Sequence, residues 1–351
     1  EAKDVFNPAV VVREGKMHML YRAEDKVGWF AGISRIGYAT SLDGKDFGFR
    51  NPAPVLYPKP IPGDCCNRDR KSRGKCAHFC EYSNRTGLLH HRESKEVTSM
   101  THYDGEGGCE DPRVVQDAEG TYWMTYTSYD GHIARLSIAS SKDLMNWEKH
   151  GLAFRYYPDT WSKAGSIVST YYPDGRVVAT RIGPSKQYYM FWGEGTIKLA
   201  TSDDLKIWTP MGKWDDTTNR WGGGVLAPRP GSWDSDLVEP GPPALLRGDK
   251  ILLIYNSKNL GRGGDSRFPQ GTYTAGQAIF SSSSPSTLLL RTDEPFLIPD
   301  QPYEMKGQIN NVVFLQGLGF LHGTWFLYYG TADSLIGVAT APGELDGDSP
   351  S

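Results

Sequence analysis

The residues best suited to chemistry sit in five short polar segments, each just ahead of an apolar run. They are Asn7-Pro8-Ala9, Glu110-Asp111-Pro112-Arg113, Lys163-Ala164-Gly165-Ser166, Glu239-Pro240-Gly241-Pro242-Pro243 and Gln308-Ile309-Asn310-Asn311. Glu194 and Asp333 add carboxylates just past two of those runs. Carboxylates brought together are what glycoside cleavage needs: one acid protonates the leaving oxygen, and a second carboxylate activates water or attacks the sugar. Taken singly, each charge is a solubilising residue at a strand end; recurrence at equivalent positions favours a site. A sugar site also needs aromatic walls, and Trp29, Tyr129, Trp192, Trp221 and Tyr329 stand near the same segments.

Something must bring these distant segments together, and the chain contains a repeat that does so. A strand rich in Tyr, Met or Leu is followed by a small-residue strand, starting at Lys16, Thr121, Gln187, Lys250 and Thr324. In three copies a polar turn and an aromatic close the unit, at Ser41 to Phe47, Ser141 to Trp147 and Ser202 to Trp208. Stretches such as Met17-His18-Met19-Leu20-Tyr21 alternate with the period of half-buried strands, and no long amphipathic helix interrupts them. Five such units predict an all-β chain, a single five-bladed β-propeller over residues 1–351. In that architecture the innermost strands converge, so the five polar segments would face one another.

Composition narrows the function classes. The 351 residues include 40 Gly and 23 Pro, which punctuate short strands, and the net charge is −3 with no basic stripe; nucleic acid is excluded as a partner. No apolar stretch approaches the ~20 residues of a membrane span. The first two copies are spaced more widely than the others, which marks residues 57–108 as a Cys-rich insertion. It carries Cys65, Cys66, Cys76 and Cys80, whose clustering predicts two disulfides and a secreted protein. A zinc site using His78 or His90 is the alternative, with a spacing unlike paired C-x-x-C. Asn84-Arg85-Thr86 is a glycosylation sequon in the same stretch, and a start at Glu1 without Met suits a processed chain. The insertion reads equally as a pinned solvated loop or as a lid, and an oligomer is compatible with it.

The phrases NPAVV with LYRAED, CEDPRVV with MTYTSYDG, ATSDDLKIWTP, EPGPPALL with LLIYN, and INNVVF with LYYGTADSLIGVAT resemble glycoside hydrolase family 130. That family comprises five-bladed propellers acting on β-mannosides as phosphorylases or hydrolases. The resemblance implies that Asp111 is the catalytic acid, relaying its proton through a sugar hydroxyl. It puts Asn7, Arg22, Glu24, Arg113 and Asp333 around the mannosyl subsite, with Lys163, Trp192 and Asn311 as further substrate-binding candidates. Arg113 has an equal alternative, pairing with neighbouring carboxylates to hold Asp111. Family phosphorylases carry a His-Arg pair where this chain reads Met190-Phe191-Trp192-Gly193-Glu194-Gly195. An acid there repels phosphate, which makes Glu194 the candidate general base and Glu239 the second.

The expectation is therefore an exo-acting, inverting β-mannosidase-like hydrolase acting on an oligosaccharide or glycan, with no cofactor or metal. Phosphorolysis, with Lys163 and Arg181 cradling the anion, is the main alternative. A catalytically silent carbohydrate-binding propeller would lack an acid or a base, and a protein-interaction propeller would not need crowded carboxylates.

Overall fold

The computed structural model describes residues 3–24, 32–58, 107–215, 217–218 and 220–345. Trp29, the four clustered cysteines, His78, His90, the Asn84 sequon and most of the 57–108 insertion lie outside the described residues. Among the described residues the chain is all-β apart from one short helix.

Five antiparallel meanders follow one another. The first is β1 (Asp4–Arg13), β2 (Lys16–Glu24), β3 (Arg35–Ser41) and β4 (Phe49–Arg50). The second is β5 (Gly108–Gln116), β6 (Tyr122–Tyr129), β7 (Ala134–Ser141) and β8 (Glu148–Leu152). In the third, β9 (Ser166–Ile167) is followed by a hairpin of β10 (Ser169–Tyr171) and β11 (Val177–Ala179). Then come β12 (Arg181–Ile182), β13 (Gln187–Trp192), β14 (Lys198–Ser202) and β15 (Thr209–Pro210). A small hairpin, β16 (Trp214–Asp215) and β17 (Arg220–Trp221), leads to the fourth. That meander is β18 (Leu237–Pro240), β19 (Leu245–Arg247), β20 (Lys250–Lys258), β21 (Tyr273–Ser281) and β22 (Leu288–Arg291). Helix α1 (Pro302–Met305) precedes the last meander, β23 (Val313–Leu321), β24 (Thr324–Thr331) and β25 (Leu335–Pro342).

The sequence phrases account for these meanders locally. In the three Ser-x-Asp turns the same bonds recur: Asp43, Asp143 and Asp204 each accept two backbone N–H groups at 2.7–2.9 Å. Trp147 and Trp208 then donate from Nε1 to the carbonyls of Leu144 and Leu205. The small-residue strands exist for close packing. Gly37, Gly276 and Gly337 lie opposite Tyr21, Tyr255 and Tyr329 in register, and a Cβ at any of them would run into the tyrosine ring.

Two first strands are split. Both β9 and β12 pair with β13, interrupted by the β10–β11 hairpin, whose edges pair in parallel with β19 and β5. Likewise β18 and β19 both pair with β20, separated by Pro242-Pro243, which have no N–H to continue a ladder. The hairpin has no counterpart in the other phrases and was not anticipated.

Side chains at the first strands tie the meanders to one another. Gln316 of β23 donates to the carbonyls of Asn7 and Pro112, at 2.7 and 2.8 Å, joining the fifth, first and second meanders. Arg113 of β5 donates to the carbonyls of Pro240 and Gly241, and Ser166 to that of Pro242, which joins the second and third to the fourth. Asn256 of β20 exchanges two bonds with Leu315 of β23. The first strands therefore meet in one place, and the polar segments meet with them.

Candidate active site

Backbone irregularity at the heads of the first strands delivers the polar groups. Pairing of β1 with β2 is shifted at Asn7, and that of β5 with β6 at Asp111-Pro112. Asn7 and Asp111 both have left-handed backbones, φ 47 and 49, and both precede proline. Bulges of this kind re-aim a side chain, and Asn and Asp tolerate the left-handed region better than other residues do. Ala164 and Asn311, at equivalent points of the third and fifth meanders, also have positive φ. Sequence alone showed the Asn-Pro and Asp-Pro pairs but not that they are bulges.

Asp111 is buried, and its Oδ1 accepts from Asn7 Nδ2 at 2.9 Å and from Arg22 at 3.3 Å. Arg22, on β2, is the hub of this half of the site. It also donates to Glu110 Oε1 at 3.0 Å, Glu24 Oε1 at 3.2 Å and Ser34 Oγ at 2.8 Å. Its guanidinium lies over the Phe6 ring, 4.8 Å from the centroid. Lys3 holds the other oxygen of Glu24 at 3.0 Å. Burial works against charge on Asp111, but Arg22, Lys163, the Asn7 bond and Arg113 together hold its carboxyl below the usual range. Glu110 goes the other way: burial outweighs Arg22 and pushes it up. Of the neighbouring pair, Glu110 is the carboxyl whose protonated form is favoured.

The second half of the site comes from the third and fourth meanders. Glu194 lies in the turn after β13, between Gly193 and Gly195, both with positive φ. That turn is held on both sides, since Gly193 N–H donates to the Lys163 carbonyl and Val238 N–H to that of Gly195. Glu194 accepts from Trp161 Nε1 on Oε2 at 2.8 Å and lies 3.8 Å from Lys163 Nζ through Oε1. Burial opposes the Lys163 charge, yet Glu239, Glu194, Asp111 and Glu110 keep its ammonium above the ordinary range. Glu239 on β18 is buried, and desolvation, aided by Glu194 and Asp111, raises its carboxyl to about 8 against the pull of Lys163 and Arg113. Asp333, just past β24, is raised to about 6 by burial, with Arg22 and Lys163 opposing and Asp111 and Glu24 assisting. Asn311 is half-buried, and its carbonyl accepts from Tyr273 N–H at 2.9 Å.

The structure thus brings Asn7, Arg22, Glu24, Asp111, Lys163, Glu194, Glu239 and Asp333 into one interacting cluster. Three expectations need correction. Trp192 is only 1% exposed and packs 4.6 Å from Phe154, because its strand turns that side chain into the core; it is not a sugar wall. Arg113 acts on the Asp111 and Glu239 carboxylates through its charge, with no hydrogen bond to either among the described residues. It is buried, and its donors go to the carbonyls of Gly241, Pro240 and Asp111, a bond set that fastens two meanders. Arg181 is exposed on the strand edge, binding the Asp203 carbonyl over the Tyr188 ring. Of the other expected walls, Trp221 packs on Tyr157 and Trp214, and Tyr329 bonds Glu304 in the interior. Tyr129 binds the Gly131 carbonyl.

Two site residues were missed. Trp161 is 49% exposed beside Glu194. Tyr273 opens β21 facing Glu239, Glu194, Lys163 and Asp333, and burial together with those acids raises its phenol. The only signal for Trp161 was its two-residue spacing from Lys163 in Trp-Ser-Lys, which puts both on one side of an extended segment.

Known proteins resemble this chain in sequence and in fold. The sequence profile described as beta-1,4-mannooligosaccharide phosphorylase matches residues 73–345. A 1,2-beta-oligomannan phosphorylase from Thermoanaerobacter sp. is 29% identical, over 97% of this chain and 90% of its own. A crystal structure of a putative glycosidase from Bacteroides thetaiotaomicron superposes with TM-score 0.76 at 39% identity, covering 96% of this chain and 86% of that one. Another solved structure is described by the words "The GH130 family of mannoside phosphorylases contains glycoside hydrolases that target beta-1,2 mannosidic linkages in Candida mannan". It superposes with TM-score 0.77 at 38% identity, covering 98% of this chain and 88% of that one. With likeness of this extent in both sequence and structure, the chain belongs to glycoside hydrolase family 130.

Proposed function

We propose that this protein is an exo-acting, inverting hydrolase of β-1,2-linked mannosides, working at the centre of a five-bladed propeller. The observation that carries this reading is the charge balance where a phosphate dianion would have to sit. By the family resemblance, Glu194 stands where phosphorylases carry a His-Arg pair, and Lys163 lies 3.8 Å from it. Arg22 is likewise matched by Glu24, Glu110 and Asp111, and Arg113 is bound to carbonyls. Seating a dianion calls for several unengaged cationic donors. A site with its cations matched and acids in excess favours water as the nucleophile instead.

In the proposed reaction a water adds to the anomeric carbon as the bond to the leaving oxygen breaks. Glu194 takes the proton of that water, and the leaving oxygen gains one from Asp111 by way of a sugar hydroxyl. Asp111 favours its ionised form, so it takes up a proton from solvent before each turnover, and Glu194 returns the proton it gained to solvent. A nucleophilic water between sugar and base gives inversion. Glu239, raised to about 8 by burial, is mostly protonated at neutral pH, which disfavours it as the base. The β-1,2 linkage is favoured over the β-1,4 linkage of the family profile by the descriptions of relatives at 29% and 38% identity.

Phosphorolysis is the second reading, favoured by the phosphorylase relative and by the high-pKa Lys163 at the site. Product analysis on β-linked manno-disaccharides, with and without inorganic phosphate, separates the two. Free mannose at the same rate in both arms supports hydrolysis. Mannose 1-phosphate formed only with phosphate overturns it.

A further inference from the structure

We infer that Trp161 is a positioning residue for Glu194, its indole N–H fixing the carboxylate in the orientation a base requires. The inference rests on the reading of Glu194 as that base. It starts from an oddity of burial: Trp161 leaves 49% of its surface exposed, although Thr160 and Ser162 beside it are 3% and 2% exposed. Alternation along an extended segment explains the pattern and puts Trp161 and Lys163 on the same side.

The segment is fastened so that both side chains meet Glu194 at a set distance. Ser162 N–H donates to the Ala134 carbonyl at 3.0 Å, and its Oγ accepts from Leu136 N–H at 2.9 Å. One residue on, the Lys163 carbonyl accepts from Gly193 N–H at 2.9 Å, next to Glu194 itself. Trp161 Nε1 then reaches Oε2 at 2.8 Å and Lys163 Nζ approaches Oε1 at 3.8 Å, one partner for each oxygen. A carboxylate has about four acceptor sites, so lone pairs remain for a water.

The two partners do different things. Lys163 supplies charge but is shared with Glu239 and stands beyond hydrogen-bonding distance. Trp161 makes the short bond and brings no charge, so it orients the carboxylate without neutralising it. Glu194 in its Gly-flanked turn has no other side-chain anchor among the described residues.

The test compares Trp161→Phe with Glu194→Gln and the unaltered protein, measuring kcat and KM on a β-1,2-mannoside across pH. Lys163 from the same segment, Glu239 from β18 and Tyr273 from β21 face Glu194 and are unchanged in Trp161→Phe. Trp161→Phe keeps an aromatic ring and removes the N–H. The expected result is a fall in kcat of about 10-fold or more with KM little changed. A purely structural role would lower the melting temperature and leave kcat of the folded protein unchanged. If Trp161→Phe keeps the original kcat while Glu194→Gln is inactive, the positioning inference falls and the base assignment stands. Hydrolysis by Glu194→Gln overturns both.

Discussion

Replacing Glu239 by Gln separates a buried neutral carboxyl from a working base. Its pKa is raised from 4.5 to about 8, first by burial and then by Glu194 and Asp111. At about pH 6 such a group is ionised in roughly 1% of molecules, so an amide of the same shape imitates its dominant state. Glu239→Gln should then keep kcat/KM within about 3-fold at that pH, whereas Glu194→Gln loses about 1,000-fold, the scale of a positioned base. Stability offers an independent readout. The folded pKa lies above the unfolded one, so between 4.5 and about 8 the native state retains a proton that the unfolded chain has released. Stability therefore falls as pH rises through that window and levels off above it, by up to about 5 kcal/mol at 1.36 kcal/mol per pH unit. Urea unfolding at about pH 5, 7 and 9 should show this decline in the unaltered protein and a flatter profile in Glu239→Gln. If Glu239→Gln is as inactive as Glu194→Gln at pH 6 and keeps the native pH slope, Glu239 works ionised and the reasoning is refuted.

Asp111→Asn should abolish turnover, by about 1,000-fold or more, with a melting temperature close to that of the unaltered protein; near-normal rates would remove it from the mechanism. Arg22→Met leaves Glu24, Glu110 and Asp111 without their shared cation and should cost about 3–5 kcal/mol at neutral pH, measured by chemical denaturation. Part of that loss should return on acidification, as the carboxylates protonate. Asp333 titrates at about 6, so its ionised form gains as pH rises through that value. If it accepts a hydroxyl from the sugar, kcat/KM should rise across the same interval, and Asp333→Asn should remove that inflection and raise KM about 10-fold.

Much of the site was legible because it is written in local phrases. Asn7-Pro8, Asp111-Pro112 and Glu239-Pro240 recur at the heads of the first, second and fourth meanders, and short-range chemistry specifies what happens there. Proline removes a ladder donor, and Asn or Asp accepts a left-handed backbone. The Ser-x-Asp turns were readable for the same reason, since every bond they make lies within a few residues. Arg113 and Trp192 were misread because their phrases looked the same either way. Whether a buried Arg meets a sugar or the carbonyls of Pro240 and Gly241 depends on a strand more than a hundred residues away. Trp161 went unnoticed because one exposed indole in a loop has no signature until its N–H finds an acceptor.

The sequence by itself determined the all-β class, the repeated meander, the family and the acids on which catalysis is proposed to rest. These follow from alternation, turn chemistry and phrase order, all properties of near neighbours along the chain. Only the tertiary structure decided which acids hold protons, which cations are already matched, and which aromatics face solvent. Those depend on desolvation and on Coulomb contacts between strands far apart in sequence. Arg22 reaching Asp111 and Lys163 reaching Glu194 exist only once the first strands have met.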